Sequence, residues 1–159
     1  MPFEPLNSRL PDIAEAETRM IAVLEGGGWA AGLPPADYLF LEMFCNERGC
    51  DCRRVMFTVF SVATQQAEAV IAYGWESAAF YRKWLRGGPE EEIATLQGPV
   101  LNEGSPQGPH ADALLELFID VLLPQTDYIE RVKRHYKQFR ATVERPRHPA
   151  LRRRRRPGG

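Results

Sequence analysis

Residues 38–73 read YLFLEMFCNERGCDCRRVMFTVFSVATQQAEAVIAY, and this stretch decides the fold. It contains three apolar and aromatic runs, over residues 38–45, 53–62 and 67–73. Such nearly continuous runs are typical of strands that are covered on both faces. The polar connection ATQQ is short enough to close a hairpin, and short connections favour antiparallel pairing of consecutive strands. The stretch therefore predicts a three-stranded antiparallel meander.

Helical patterns flank the meander on both sides. Asp12 followed by Glu15 is a capping pattern, and the glycines at 26–28 would end a first helix over about residues 12–25. Further helices are predicted to begin near Ser77, Pro89, Pro109 and Asp127, and residues 97–108 are predicted to be a loop. The predicted fold class is α+β, a small antiparallel three-stranded β-meander packed with helices.

The charge is distributed unevenly along the 159 residues. Residues 145–159 (RPRHPALRRRRRPGG) hold seven arginines and no acidic residue, although the whole chain has a formal net charge of -1. Mutual repulsion and the absence of apolar periodicity predict a disordered Arg-rich tail, which leaves residues 1–144 as a single domain. The tail is either an electrostatic arm for RNA, DNA or another polyanion, or an extension without a role.

Neither a membrane span nor a secretion signal is expected. No stretch approaches the roughly 18 consecutive apolar residues that a span needs, and the start (MPFEPLNSRL) lacks the apolar core of a signal peptide. We therefore expect a cytoplasmic protein without a membrane partner. Its three cysteines would be reduced in that compartment and available to a metal.

The cysteines carry the clearest chemical signal in the sequence. Cys45, Cys50 and Cys52 follow a C-x4-C-x-C spacing at the predicted hairpin tip, and the chain has no other cysteine. Zinc binds thiolates that converge to about 2.3 Å from it, and clustering favours such a site over reduced, uncoordinated cysteines. A thioredoxin-like centre would instead use C-x-x-C at the start of a helix. The sequence predicts a zinc-stapled hairpin tip.

A tetrahedral site needs a fourth ligand. The candidates are His135, His110, His148, a carboxylate or water. His135 is preferred because it shares the apolar stripe of the last helix, which should pack on the sheet and bring the imidazole near the cysteines. A histidine that is hydrogen-bonded in the core is the alternative explanation for its position.

Three segments together resemble an uncharacterised bacterial family often labelled SEC-C-type zinc-chelating proteins. They are FLEMFCNERGCDCRRVMFTV (40–59), IAYGWESAAFYRKW (71–84) and YIERVKRHYKQFR (128–140), and the resemblance covers about residues 37–140. In that family the cysteine segment is taken to bind zinc. The resemblance thus implies zinc binding by Cys45, Cys50 and Cys52. No reaction is established for that family, so the resemblance implies no activity.

The predicted function is a non-enzymatic zinc-binding module with structural zinc, which presents a surface to a protein or a nucleic acid. The motivation is a thiolate-rich site without a recognisable nucleophile, base or cofactor loop. The alternative is a zinc-dependent hydrolase with water in the fourth position and Glu42 or Asp51 as the acid. Three thiolates donate much charge to zinc and make it a poorer Lewis acid, which disfavours the hydrolase.

Overall fold

A computed structural model describes residues 2–26 and 32–145. Its strands form one antiparallel sheet: β1 (Phe3–Pro5), β2 (Arg19–Val23), β3 (Ala36–Cys45), β4 (Arg54–Ser61), β5 (Gln66–Gly74) and β6 (Val100–Leu101). Its helices are α1 (Leu6–Arg9), α2 (Pro11–Glu17), α3 (Ala78–Trp84), α4 (Glu90–Gln97), α5 (Ala111–Leu117) and α6 (Thr126–Glu144), and a π-helical turn over Phe118–Leu122 follows α5. The α+β fold class is confirmed.

The predicted meander is the centre of a larger sheet. Strands β3, β4 and β5 pair in sequence order, and β6 adds to β5 inside the segment predicted as a loop. On its other edge β3 pairs with two strands: β1 lies beside residues 43–45 and β2 beside residues 36–40. The sheet therefore has six strands, not the predicted three, because short strands extend both edges.

The first predicted helix is wrong in its second half. Helix α2 ends at Glu17, and the chain continues as β2, where Arg19, Ile21 and Val23 are the less exposed residues and the side chains between them are exposed. The sequence alone does not reveal this alternation of a strand, because Met20 and Val23 also fit the helical spacing of the preceding residues. The open edge of β3 provides the hydrogen-bonding partner that turns the segment into a strand.

The main core lies between one face of the sheet and the helices α5 and α6. Phe40, Phe44 and Phe57 point to this face and are fully buried. The ring centroids of Phe57 and Phe118 lie 5.0 Å apart, and those of Phe44 and Phe139 lie 5.6 Å apart. This packing fixes α6 across the sheet, with its C-terminal half beside the end of β3 that carries Cys45.

Helices α3 and α4 pack against β5 and the start of β4. The Arg54 Nε donates to the carbonyl oxygen of Leu96 at 3.0 Å, and Ile93 is the buried residue of α4. Gly74, the register partner of Arg54, approaches so closely that an added Cβ would collide with Tyr81 Oη and Leu96 O. The two helices therefore cover only this end of the second sheet face.

Within the part of the chain that the structure describes, no helix has the length and apolar character needed to cross a bilayer. Residues 146–159 lie outside the described residues, so the predicted disorder of the arginine-rich tail stays a prediction.

Candidate metal centre

The three cysteines converge at the tip of the β3–β4 hairpin. Cys45 is the last residue of β3, and Cys50 and Cys52 lie in the connection that leads into β4. Their ligand atoms all lie within 4.8 Å of one another. Sulfurs that share a tetrahedral zinc at about 2.3 Å lie roughly 3.8 Å apart, so only a small closure separates this arrangement from a zinc site. The donor set and its spacing fit a soft metal ion.

Residues 46–53 join β3 to β4 and carry Cys50 and Cys52, and we call them the cysteine connection. Helix α6 anchors the first part of this connection. Arg140 is 8% exposed, and its guanidinium donates to the carbonyl oxygens of Cys45 and Glu47, each at 2.8 Å. Glu144, one turn later, is ion-paired with Arg140 and accepts a hydrogen bond from the backbone N–H of Gly49 at 2.6 Å. The connection is thus anchored at three backbone groups by two side chains of one helix.

The last part of the cysteine connection is fixed through Arg53, the residue after Cys52. Arg53 has a positive φ of 49°, which is uncommon for a residue with a side chain. Its N–H donates to Tyr136 Oη at 3.1 Å, and its carbonyl oxygen accepts from Tyr81 Oη at 2.9 Å. Two tyrosines on different helices therefore stabilise the left-handed backbone that turns Cys52 toward the other sulfurs.

Two of the three cysteines are buried, and the third is partly exposed to solvent. Cys45 and Cys52 are 0% exposed, whereas Cys50 is partly exposed. Burial, followed by the neighbouring sulfurs of Cys50 and Cys45, raises the pKa of the Cys52 thiol to about 12. Burial also raises the pKa of Cys50. The raised pKa values of Cys50 and Cys52 favour their protonated, weakly nucleophilic thiols when no metal is bound, which argues against thiol redox catalysis at these two residues.

The predicted fourth ligand, His135, is not part of this cluster. It is fully buried on the sheet-facing side of α6, as the apolar stripe predicted, but its partners are carboxylates. Nδ1 lies 2.9 Å from Glu42 Oε1, and Nε2 lies 2.7 Å from Glu17 Oε2. Both ring nitrogens are therefore occupied. His135 fits the alternative explanation, a hydrogen-bonded core histidine.

No described histidine, aspartate or glutamate completes the cysteine cluster. His110 lies at the start of α5, away from the three sulfurs, and His148 is outside the described residues. Asp51, a suggested acid for hydrolysis, accepts hydrogen bonds from the Arg53 guanidinium at distances of 2.9–3.2 Å. Glu42, the other suggested acid, is bound to His135. Neither carboxylate joins the metal-binding group.

Sequence reasoning missed Arg140, Glu144 and Tyr136, which hold the cysteine connection in place. All three lie within or just beyond the predicted last helix, but their role depends on contacts with residues more than eighty positions earlier. A buried arginine position on an otherwise apolar helix face was the one available signal.

Comparison of the chain with protein-family models, with curated proteins and with solved structures finds no match.

Proposed function

We propose that this chain is a zinc-binding domain in which Cys45, Cys50 and Cys52 hold one structural zinc ion. The convergence of the only three cysteines on a braced hairpin tip is the observation that carries this proposal. Zinc is favoured among soft metals because it accepts thiolates without redox chemistry. The resemblance to SEC-C-type zinc-chelating proteins supports the same ion.

The fourth position in this proposal is taken by water or another exchangeable donor. Both ring nitrogens of His135 already contact carboxylates. If one nitrogen bound zinc instead, Glu42 or Glu17 would lose its contact with the imidazole. When bound, zinc would tie the end of β3 to the start of β4 and so contribute directly to the free energy of folding. The ion acts here as a cross-link, and the module offers its surface to a partner.

Metal analysis of the full chain tests the proposal. We expect one zinc per chain after purification without chelator, and less than a tenth of that in the Cys52→Ser variant. Zinc at about 100 times its dissociation constant should add roughly 2.7 kcal/mol to the free energy of unfolding. The His110→Ala variant is the control, because it removes a potential ligand outside the cluster, and it should keep its zinc. A folded chain without metal would contradict the proposal.

The hydrolase alternative rests on the same open position, so both functions allow an exchangeable water on a cobalt-substituted site, and activity separates them. A hydrolytic activity that requires the metal and disappears in Glu42→Gln or Asp51→Asn would favour the hydrolase. The structural role is supported by the existing bonds of both carboxylates, which leave neither directed at the cysteine cluster.

The arginine-rich segment 145–159 is proposed as the contact to a polyanionic partner such as RNA or DNA. Seven arginines that each neutralise a phosphate would release counterions, so binding should weaken by roughly 10³-fold between about 50 and 200 mM salt. Fluorescence anisotropy with a labelled single strand and a labelled duplex measures this. A chain lacking residues 145–159 should not bind, and absence of binding by the full chain at low salt would contradict the role.

A further inference from the structure

Arg54 is a buried positive charge that no carboxylate balances. The buried charged side chains of the described residues are those of Glu42, Arg54, His135 and Arg140, each at most 8% exposed. Glu42 and His135 form a pair, and Arg140 is paired with Glu144. In the part of the chain that the structure describes, Arg54 takes part in no ion pair. Because a buried charge is costly without an opposite charge, its position indicates a negative partner of another kind.

The surroundings of Arg54 offer one source of negative charge. Its Nε donates to the carbonyl oxygen of Leu96 at 3.0 Å, which is a neutral acceptor. Burial lowers the pKa of Arg54, and Cys52 and Tyr81 oppose this effect when they are ionised. Tyr81 donates to the carbonyl oxygen of Arg53 at 2.9 Å and burial raises its pKa, so it stays a neutral phenol. The remaining group is Cys52, which is fully buried and lies two positions before Arg54.

A bound metal ion would turn the cysteines into this negative partner. A thiol is neutral, whereas each thiolate that binds a metal carries one negative charge. A divalent ion with three thiolates and a neutral fourth donor therefore has one net negative charge, which a single arginine balances. Two other arginines lie in the cysteine connection: Arg53 is ion-paired with Asp51 and Glu76, and Arg48 is exposed to water. Arg54 is the buried one.

We propose that Arg54 is the counter-charge of the metal centre and thereby sets how tightly the three thiolates hold zinc. This inference rests on the proposed zinc site and adds its charge: all three cysteines are thiolates, the fourth donor is neutral, and the metal unit is an anion. Arg54 is not a ligand and acts through the charge of the ligands. Because Cys52 and Arg54 are both buried, water and salt screen their attraction only weakly.

Competition of the full chain with a chromophoric zinc chelator measures this effect. Arg54→Gln keeps a side-chain N–H donor but removes the charge, and it should weaken zinc binding by about 10–100-fold. Arg54→Lys keeps the charge and should bind zinc within about fivefold of the wild type. Arg48→Gln is the matched control, because it removes an exposed charge two positions before Cys50, and it should change the zinc affinity by less than about fivefold.

The mass of the zinc-loaded wild type tests the charge without any variant. Zinc held by three thiolates replaces three protons, so native mass spectrometry should show the mass of zinc less three hydrogens. Replacement of only two protons would mean a neutral metal unit and would overturn the proposal. Equal zinc affinity of the wild type and Arg54→Gln, or an Arg54→Lys variant as weak as Arg54→Gln, would overturn it as well. These three results leave the zinc site itself standing, whereas a wild type that binds no zinc would overturn both proposals.

Discussion

The variant His135→Ala should lower the free energy of unfolding by about 3–5 kcal/mol. The imidazole is fully buried and lies between Glu42 and Glu17, and the Glu42 side chain is only 1% exposed. Without the imidazole, Glu42 would remain as a buried carboxylate without its ionic partner, in addition to the cavity left by the ring. Chemical denaturation of the purified variant measures the loss.

Two further variants distinguish the stability contributed by the buried His135–Glu42 pair from that contributed by the partly exposed His135–Glu17 pair. Glu17 is 30% exposed, so Glu17→Gln should cost about 1 kcal/mol or less. The double variant Glu42→Leu with His135→Leu removes both buried partners and should recover much of the stability lost in His135→Ala. A loss below about 1 kcal/mol in His135→Ala would show that the contacts with Glu42 and Glu17 contribute little to the fold.

The same pair gives the stability a pH dependence of known sign. Burial lowers the pKa of His135, but the hydrogen bonds and charges of Glu42 and Glu17 outweigh it, and the net pKa is raised. The hydrogen bond from His135 is the largest influence on Glu17, whose pKa is lowered despite some desolvation. The histidine contribution is therefore complete below about pH 6.5 and declines as pH rises through the raised pKa. The difference in stability between wild type and His135→Ala should shrink accordingly.

The extent of each apolar segment decided how well the fold was predicted. Strands β3, β4 and β5 have eight to ten residues, and their patterns were sufficient. Strands β1 and β6 have three and two residues, too few to carry a periodic pattern, and β1 ends in a proline. Strand β2 was predicted as helix because its residues fit both periods, and pairing with a strand further along the chain decided between them.

The candidate site shows the same limit. The cysteines lie within eight residues and could be assigned from spacing alone, but their supporting residues and the partners of His135 come from distant parts of the chain. Glu42 and Glu17 are 93 and 118 positions away from His135. A glutamate between Phe40 and Phe44 on the buried face of β3 was the signal for a cationic partner, since buried carboxylates are paired. It points to the contact between Glu42 and His135 that the structure shows.

Arg140→Met should be the most damaging substitution among the residues that brace the cysteine connection, with a loss of about 3–5 kcal/mol. The guanidinium donates to two backbone carbonyl oxygens, those of Cys45 and Glu47, and each hydrogen bond to a charged group contributes about 1.5–3 kcal/mol. Methionine has a similar length but no donor. The carbonyl oxygens would lose these partners, and Glu144 would lose the charge that holds it beside Gly49.

A comparison with other arginine variants makes this prediction specific. Arg134 lies on the same helix and is 53% exposed in its pair with Glu17, so Arg134→Met should cost about 1 kcal/mol or less. Arg140→Lys should recover only part of the loss, because an ammonium group cannot reach both carbonyl oxygens with the planar geometry of a guanidinium. Denaturation of the three variants tests the order.

The same substitution should also weaken the metal centre. Residues that orient metal ligands typically change affinity by about 10–100-fold when they are replaced, and Arg140 fixes the backbone of Cys45 directly. Competition with a chromophoric zinc chelator should therefore show weaker zinc binding by Arg140→Met under conditions where the variant is still folded, and unchanged binding by Arg134→Met. Equal zinc affinity in the wild type and Arg140→Met would mean that the thiolates and the metal order the hairpin tip without help from α6.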